Sequence, residues 1–278
     1  MQAMDPSQAL LTDQVAIITG GGQGIGEGAA LALARFGAHI AIADKNPETS
    51  ARVADRVHEL GREALSIPTD VRDTDAVRAM VDETMSRLGR VDILVNNAGG
   101  TRRAPFLELE ARGWQRHIEL NLGGLFGPTD AAVRAMLEGG RGGSIINVAS
   151  IEGTRAAPNF SVYAACKAGM INFTRTLAVE LAEHGIRVNC IAPDYTSTPG
   201  IDGFEEAHAP ERVAAAEGAI PLGRRGNIEE TAGPIVFLAS RMAGYVTGAT
   251  IPVDGGTWAS SGWVRDGQGE WSNMPRVR

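Results

Sequence analysis

The chain has 278 residues and a formal net charge of −7, and its isoelectric point lies near 5.3. That length suits one large α/β domain or two small ones, and an acidic chain without a basic cluster is a poor candidate for binding nucleic acid or an anionic membrane. The apolar runs are too short to span a bilayer. Cys166 and Cys190 have neither metal-ligand spacing nor a disulfide framework, so we expect no metal site and a reduced, cytoplasmic location.

Short apolar runs rich in β-forming residues alternate along the chain with segments of helical apolar spacing. The predicted strands are residues 14–19, 39–43, 64–68, 92–95, 144–148, 187–191 and 250–253. The predicted helices are residues 25–36, 48–60, 74–88, 111–137, 162–184 and 228–240. This alternation favours a seven-stranded parallel sheet with helices on both faces, a three-layer αβα Rossmann fold in a single domain spanning 1–278. Such sheets bind ligands beyond the carboxyl ends of their strands.

A glycine-rich loop follows the first predicted strand and leads into the first predicted helix. Gly20, Gly24 and Gly26 would let the backbone turn sharply and approach a pyrophosphate closely. The helix beginning near Ile25 would offer that anion its unpaired N–H groups and the positive end of its dipole. A glycine cluster is also typical of a tight turn, but its position between a strand and a helix favours a dinucleotide site.

The second predicted strand is followed by an acid, Asp44. A carboxylate there can accept hydrogen bonds from the adenosine ribose hydroxyls and would repel a 2′-phosphate. Gln23, in the glycine loop, brings no positive charge to that position. Because Lys45 could soften the repulsion, the sequence favours NAD and leaves NADP as the less favoured cofactor. The structural alternative is that Asp44 is a plain loop charge.

Polar and small residues also follow the third and fourth predicted strands. Asp70 and Val71 come after the third strand, where a polar side chain could meet the adenine, and the run Asn-Asn-Ala-Gly-Gly occupies residues 96–100. Small residues after a strand allow a ligand to approach the backbone. Either segment taken alone could be only a turn.

Tyr163 and Lys167 are four residues apart in a predicted helix and so share one face of it. A nearby cation lowers the pKa of a phenol, which would let Tyr163 act as a general base on an alcohol or as an acid on a ketone. An isolated pair of this kind would be an ordinary amphipathic feature. Ser150, however, follows the fifth strand, where its hydroxyl can hold a substrate oxygen, and Asn121 lies in a long helical segment beside the sheet.

These motifs together resemble the short-chain dehydrogenase/reductase family over roughly residues 14–256. The resemblance implies an oxidoreductase that interconverts a secondary alcohol and a ketone by hydride transfer with a nicotinamide cofactor. It implies that Tyr163 is the general acid/base and that Lys167 lowers its pKa and binds the nicotinamide ribose. It also implies that Ser150 stabilises the substrate oxygen and that Asn121 holds a water in a proton relay.

The same resemblance implies a set of cofactor contacts that follow successive strands. They are Gly20, Gln23, Gly24, Ile25, Gly26, Asp44, Asp70, Val71, Asn97, Ala98, Gly99, Tyr163, Lys167, Pro193, Thr196 and Thr198. The sequence departs from the family where Pro193 is followed by Asp194 rather than the usual glycine, so we expect altered substrate access or backbone geometry there. Cys166, in place of the usual serine, is interpreted as a small-residue packing exchange.

Residues 194–227 should form a lid over the substrate, and 257–278 a carboxyl-terminal extension. No arginine cluster precedes Arg224 in the lid, which argues against a phosphorylated or coenzyme A substrate at its tip. Arginines 102, 103 and 155 in other loops weaken that argument. We expect a small or medium uncharged alcohol or ketone, such as a cyclic or hydrophobic alcohol.

Three tryptophans, Trp258, Trp263 and Trp271, stand in the extension. They either cover an apolar patch of the same subunit or form a subunit contact, which could close a neighbouring site. The family resemblance implies a homotetramer or a homodimer.

Three other functions stay open: an NADPH-dependent 3-oxoacyl-type reductase, a non-redox relative such as a dehalogenase or epimerase, and a silent nucleotide sensor. Dehalogenating relatives lose the glycine loop and carry arginine in place of the lysine, whereas this chain keeps both features. A sensor would be expected to have a broken tetrad, and Asn121, Ser150, Tyr163 and Lys167 all match the pattern.

Overall fold

A computed structural model of the chain describes residues 5–206, 209–265 and 269–273. Seven parallel strands form one sheet in the order β3-β2-β1-β4-β5-β6-β7. The strands are β1 (Val15–Thr19), β2 (His39–Asp44), β3 (Ala64–Pro68), β4 (Ile93–Asn96), β5 (Gly143–Val148), β6 (Ile186–Pro193) and β7 (Thr250–Val253). All seven predicted strands are therefore present, and β6 extends two residues beyond its predicted end.

Ten α-helices are described, most of them connecting consecutive strands. They are α1 (Gly24–Arg35), α2 (Pro47–Glu59), α3 (Thr74–Leu88), α4 (Ala111–Ile118), α5 (Gly124–Gly139), α6 (Ser161–Glu180), α7 (Pro199–Glu206), α8 (Pro210–Gly218), α9 (Ile228–Ala239) and α10 (Thr257–Ser260). A short antiparallel pair, β8 (Val264–Arg265) and β9 (Trp271–Ser272), lies in the extension. The prediction of one helix over 111–137 was wrong, because a π-helical turn, Glu119–Gly123, separates α4 from α5.

The helix boundaries follow from capping residues in the sequence. Asn46 precedes α2, and its side chain accepts hydrogen bonds from two backbone N–H groups of the first turn. Asp73 does the same for α3, and Gly89 ends that helix in the left-handed conformation that glycine adopts without a Cβ penalty. Asn227 and Glu230 form a reciprocal capping box at the start of α9. These local signals explain why the strand–helix alternation could be predicted.

The sheet is covered by helices on both faces, as predicted. Successive residues of β1 point to opposite sides, and both are fully buried: Ile18 packs in the cluster that includes α1, α2 and α9, whereas Ile17 packs in the cluster that includes α3 and α5. Strands buried on both faces are typical of parallel sheets with helical crossovers. Within the described ranges, no helix is long and apolar enough to cross a membrane.

The strand order reverses between β1 and β4. From β1 the chain runs outward to β2 and β3, and then returns to place β4 on the other side of β1. The loops that follow β1 and β4 therefore diverge, leaving a crevice at the carboxyl edge of the sheet. This crevice lies beside the glycine-rich loop.

Candidate active site

The glycine-rich loop packs so closely that side chains would fill it. Gly20 and Gly24 have φ values of 65° and 58°, a region that disfavours residues with a Cβ. A Cβ on Gly26 would lie 2.2 Å from the carbonyl oxygen of Gly20, and one on Gly22 would lie 2.5 Å from the Oγ1 atom of Thr49. The first turn of α1 thus presents bare backbone at the crevice. This cradle fits the pyrophosphate of a dinucleotide, which needs close backbone approach and free N–H groups.

Asn97 and Thr19 fasten the glycine loop to the end of β4. The Asn97 side-chain amide donates to the carbonyls of Thr19 at 3.0 Å and Gly20 at 2.9 Å. The Thr19 hydroxyl oxygen accepts from the backbone N–H groups of Asn97 at 3.0 Å and Ala98 at 3.1 Å. The predicted cofactor residue Asn97 therefore positions the loop with its side chain. Sequence reasoning missed Thr19, whose place at the end of β1 was the available signal.

Asp44 holds the same loop from the end of β2. Its carboxylate accepts hydrogen bonds from the backbone N–H groups of Gly22 at 3.0 Å and Asn46 at 2.9 Å. Sequence reasoning also missed a nearby guanidinium: Arg52 donates to the carbonyl of Gly22 at 3.1 Å and pairs with the nearly buried Glu27 at 2.8 Å. No sequence pattern pairs residues 27 and 52, because only the packing of α2 against α1 brings them together.

Asp70 and Val71 follow β3 on the adenine side of the expected cleft. Arg72 donates to the Asp70 carboxylate at 2.9 and 2.5 Å, and these hydrogen bonds lower the pKa of Asp70 to about 2. The exposed Lys45 lowers that pKa further through its charge. Val71 is buried and packs against the start of α5, where a Cβ on Gly124 would lie 2.7 Å from it. Asp70 is therefore ionised and held by its neighbour.

Asn121 and Lys167 meet at the loop that follows β4. The Asn121 side chain accepts from the backbone N–H of Gly100 at 3.0 Å and donates to its carbonyl at 2.8 Å. A Cβ on Gly99 would lie 2.9 Å from the Asn121 Oδ1 atom and 3.6 Å from the Lys167 Nζ atom. The π-helical turn carries Asn121 into this position, and such turns often occur at functional sites.

Lys167 is 3% exposed, and its ammonium donates to the Val148 carbonyl at 2.7 Å. Burial lowers its pKa to about 8, because the charged form loses its hydration. Lys167 Nζ lies 5.7 Å from the centre of the Tyr163 ring. The lysine is therefore close to the phenol ring while its hydrogen bond is directed at the end of β5.

Burial raises the pKa of Tyr163, a hydrogen bond with Ser150 lowers it, and the charge of Glu152 raises it. The role of Lys167 in lowering this pKa stays a prediction: its ammonium lies 5.7 Å from the centre of the Tyr163 ring and donates to the Val148 carbonyl. Ser150 also donates to the Pro193 carbonyl at 3.4 Å and accepts from the Glu152 N–H at 3.2 Å. Glu152, two residues beyond Ser150, was missed by sequence reasoning.

The segment after β6 lies against the glycine loop. A Cβ on Gly24 would lie 3.3 Å from the Cγ2 atom of Thr198, so Thr198 borders the cradle. Thr196 is buried and donates to the carbonyl of Asp194 at 3.3 Å. The predicted contacts Pro193, Thr196 and Thr198 thus share the carboxyl edge with the glycine loop and Ser150.

The predicted lid contains α7 and α8, which sequence reasoning did not identify as helices although Pro199 and Pro210 are start signals.

In the extension, Trp258, Trp263 and Trp271 are about half exposed. Two of them, Trp263 and Trp271, line a cavity of about 410 Å³.

Across the described ranges, no group of three His, Cys, Asp or Glu side chains could hold a metal ion.

The chain is similar to known oxidoreductases over nearly its whole length. A family model described as enoyl-(acyl carrier protein) reductase matches residues 20–257. A sorbitol dehydrogenase from Cereibacter sphaeroides is 39% identical over 257 residues, which are 90% of this chain and 99% of the relative. A 3-oxoacyl-(acyl-carrier-protein) reductase from Chlamydia muridarum is 37% identical over 249 residues, which are 89% of this chain and 98% of the relative.

Solved structures show the same likeness. A short-chain type dehydrogenase/reductase from Mycobacterium marinum superposes with a TM-score of 0.85 at 38% identity, covering 90% of this chain and 98% of that one. A carveol dehydrogenase from Mycobacterium avium, solved with NAD, gives 0.83 at 34% identity over 90% and 99% of the two chains. A candidate 2-deoxy-D-gluconate 3-dehydrogenase from Agrobacterium tumefaciens, solved with NADP, gives 0.83 at 34% identity over 91% and 99%. Both nicotinamide nucleotides thus occur among these neighbours.

Proposed function

Because this chain belongs to the short-chain dehydrogenase/reductase family, we propose that it interconverts a secondary alcohol and a ketone with NAD, using Tyr163 as the general acid/base. One observation carries this assignment. The hydrogen-bonded pair of Ser150 and Tyr163 lies at the same edge of the sheet as the Lys167 ammonium and the backbone cradle of the glycine loop. Proton handling and dinucleotide binding therefore have their residues side by side.

The bound nicotinamide would supply the hydride acceptor for alcohol oxidation and the hydride donor for ketone reduction. The chain handles the proton. The Ser150 hydroxyl holds the substrate oxygen, and the Tyr163 oxygen takes the proton from the alcohol or returns it to the ketone. Lys167, with a pKa of about 8, can gain or lose a proton near neutral pH. Asn121, fixed to both polar groups of Gly100, holds the outer end of the proton path.

The preference for NAD rests on the charges around Asp44. Its carboxylate lies at the end of β2 with both oxygens already fixed by loop N–H groups. The guanidinium groups next to the glycine loop, Arg52 and Arg56, both pair with Glu27. The Asp44 carboxylate would therefore repel a 2′-phosphate at this position. The positive charges of Arg52 and Arg56 would attract it little, because both are paired with Glu27.

An uncharged alcohol is the substrate class that these residues favour. Arg155, an arginine close to Ser150 in sequence, pairs with Glu152 at 3.0 Å and offers an anionic substrate little free charge. The second candidate is a 3-oxoacyl-type reductase that uses NADPH. The similarity to the Chlamydia muridarum reductase favours that candidate, whereas Asp44 and Glu152 weigh against it.

Assembly and location belong to the same proposal. We expect a homotetramer or a homodimer from the family resemblance, and exposed apolar side chains such as Leu107 and Val179 are available for a subunit contact. A cytoplasmic location is supported by the two buried cysteines, which are both free. Light scattering of the purified protein measures the assembly directly.

A paired fluorescence titration with NADH and NADPH tests the cofactor assignment, followed by a panel of secondary alcohols with the preferred nucleotide. Tight NADH binding, much weaker NADPH binding and turnover of an uncharged alcohol are expected. Asp44→Ala should narrow the difference between the two nucleotides, whereas Asp55→Ala, an exposed acid on α2, should leave it unchanged. A preference for NADPH would transfer the assignment to the 3-oxoacyl-type reductase. Binding of neither nucleotide would contradict the dehydrogenase function.

A further inference from the structure

Asp194 adds a carboxylate beside the candidate catalytic serine, at a position where the family usually has glycine. Among the residues that the structure describes, the non-glycine residues with positive φ are Asp13, Asn159 and Ser261, so the Asp194 backbone does not adopt the left-handed conformation that favours glycine. Its N–H donates to the carbonyl of Val253 at 3.2 Å, which continues the pairing of β6 with β7. The substitution therefore changes the chemistry of this edge without backbone strain.

The carboxylate stands close to the reacting groups. Ser150 donates to the carbonyl of Pro193 at 3.4 Å, and Asp194 is the next residue in the chain. Asp194 also interacts electrostatically with Glu152 and Arg155 of the loop after β5. The side chain is half buried at the carboxyl edge of the sheet.

The acids around Asp194 already have partners. Glu152 pairs with Arg155 at 3.0 Å, and Asp254 accepts from the backbone N–H groups of Gly256 at 2.9 Å and Trp258 at 2.7 Å. The Thr257 hydroxyl lies close enough to the Asp194 side chain to lower its pKa. That hydroxyl has one proton, and it donates to the Asp254 carbonyl at 2.8 Å.

Asp194 is thus a half-buried carboxylate whose polar neighbour has already used its proton. A buried acceptor without a protein donor is stabilised when the ligand donates a hydrogen bond to it. A neutral donor suits the position, because burial raises the pKa of Asp194 and Arg155 already supplies a positive charge nearby. A carboxylate or phosphate on the ligand would instead be repelled by Asp194 and Glu152.

We infer that Asp194 is a specificity-determining residue that accepts a hydrogen bond from a second hydroxyl of the substrate, on the carbon next to the one that is oxidised. The substrate class is then a vicinal diol or a longer polyol. This inference rests on the proposed alcohol oxidation and deepens it. A hydrogen bond to a charged acceptor is worth about 10- to 100-fold in specificity.

The test compares two probes that differ by one hydroxyl, cyclohexane-1,2-diol and cyclohexanol, in the wild type and in Asp194→Gly and Asp194→Asn. The ratio of their kcat/KM values should favour the diol by about 10- to 100-fold in the wild type. It should fall close to one in Asp194→Gly, through loss of diol activity, while cyclohexanol activity and NADH affinity stay within a few-fold. Asp194→Asn should lie between, and Asp55→Asn, which removes an exposed charge on α2, should match the wild type.

An equal ratio in the wild type and Asp194→Gly would overturn the inference. A clear preference for 2-aminocyclohexanol over the diol would also overturn it, because Asp194 would then bind a cation. If NADH binds but the wild type oxidises neither probe, calorimetric titration of the NADH-loaded protein with the diol decides: binding that is unchanged in Asp194→Gly contradicts the role of Asp194. Failure to bind either nucleotide would contradict the proposed function instead.

Discussion

The proposed nucleotide side and the proposed substrate side of the carboxyl edge are built in different ways. On the nucleotide side, after β1 and β2, the surface is backbone: glycines whose Cβ atoms would clash, a Gly22 N–H held by Asp44 and a Gly20 carbonyl held by Asn97. On the substrate side, after β5 and β6, the surface consists of the side chains of Ser150, Tyr163 and Asp194. Binding on the nucleotide side therefore depends on the shape of the backbone. Chemistry on the substrate side depends on the charge and proton affinity of the side chains.

This difference separates two kinds of mutational effect. Adding a Cβ at Gly26 should weaken both packing and nucleotide binding, because the atom that it meets, the Gly20 carbonyl oxygen, belongs to the backbone. Replacing polar groups on the substrate side should change rate and pH dependence while leaving the fold intact. The predictions below would break or sharpen that separation.

The largest effect is expected on the substrate side. Tyr163→Phe removes the phenol oxygen but keeps the ring near Phe160, whose centroid is 6.3 Å away. Turnover should fall by about 10²- to 10⁴-fold, because the proton loses its acceptor, and NADH affinity should stay nearly intact. Steady-state kinetics and a fluorescence titration measure the two effects. The exposed Tyr245, changed to Phe, is the matched control, and near-normal turnover in Tyr163→Phe would remove the tyrosine from its proposed role.

On the nucleotide side, Gly26→Ala places a Cβ 2.2 Å from the Gly20 carbonyl oxygen. Overpacking of this kind costs about 1–3 kcal/mol of stability, and displacement of the loop should lower NADH affinity by about tenfold or more. Denaturant unfolding and fluorescence titration are the measurements. Gly233→Ala, in α9 with no atom within 4 Å of the new Cβ, should be neutral or stabilising. Unchanged affinity in Gly26→Ala would show that the cradle does not hold the nucleotide.

Replacing Lys167 tests whether a residue proposed for proton transfer lowers the free energy of unfolding. Burial lowers its pKa from 10.5 to about 8, so folding with a charged ammonium costs about 3 kcal/mol below pH 8. Lys167→Met removes that cost but leaves the Val148 carbonyl without its donor, which costs about 1–3 kcal/mol. The variant should be inactive yet about 1 kcal/mol more stable than the wild type at pH 7.

The stability advantage of Lys167→Met should change with pH in a definite direction. The wild-type lysine is charged in both the folded and the unfolded state below pH 8, and it is neutral in both well above pH 10.5. The advantage of Lys167→Met should therefore shrink as the pH rises from 8 to 10.5. Urea unfolding at several pH values measures it, with the exposed Lys45→Met as the control. An advantage that grows with pH would contradict the buried charge.

The smallest effect is expected from Glu152→Gln. The negative charge of Glu152 raises the pKa of Tyr163, so the variant should lower that pKa and ionise the phenol at lower pH. The acid limb of the oxidation profile should shift to lower pH, while NADH affinity stays the same. Glu83→Gln, an exposed acid on α3, serves as the control. A shift toward higher pH would exclude this electrostatic effect.

The strands and the glycine loop could be predicted because their signals are local. Apolar runs between turn residues marked all seven sheet strands, and glycines between a strand and a helix marked the loop. The π-helical turn at Asn121 could not be predicted, because the apolar spacing runs through 111–137 without a break. Similarly, no spacing in the sequence pairs Arg52 with Glu27 or directs Lys167 at Val148, since those contacts depend on how separate elements pack.

The sequence by itself determined the Rossmann architecture and the position of the glycine-rich loop, and it supplied the candidates for proton transfer, because periodicity, glycine and residue chemistry are properties of short segments. Only the tertiary structure decided which group acts on which. It placed the Ser150 hydroxyl where it lowers the Tyr163 pKa, and it buried Lys167 enough to lower its own pKa to about 8. It also set Asp194 among acids that already have partners. Burial and charge separation arise from elements distant in sequence, so only the folded chain fixes them.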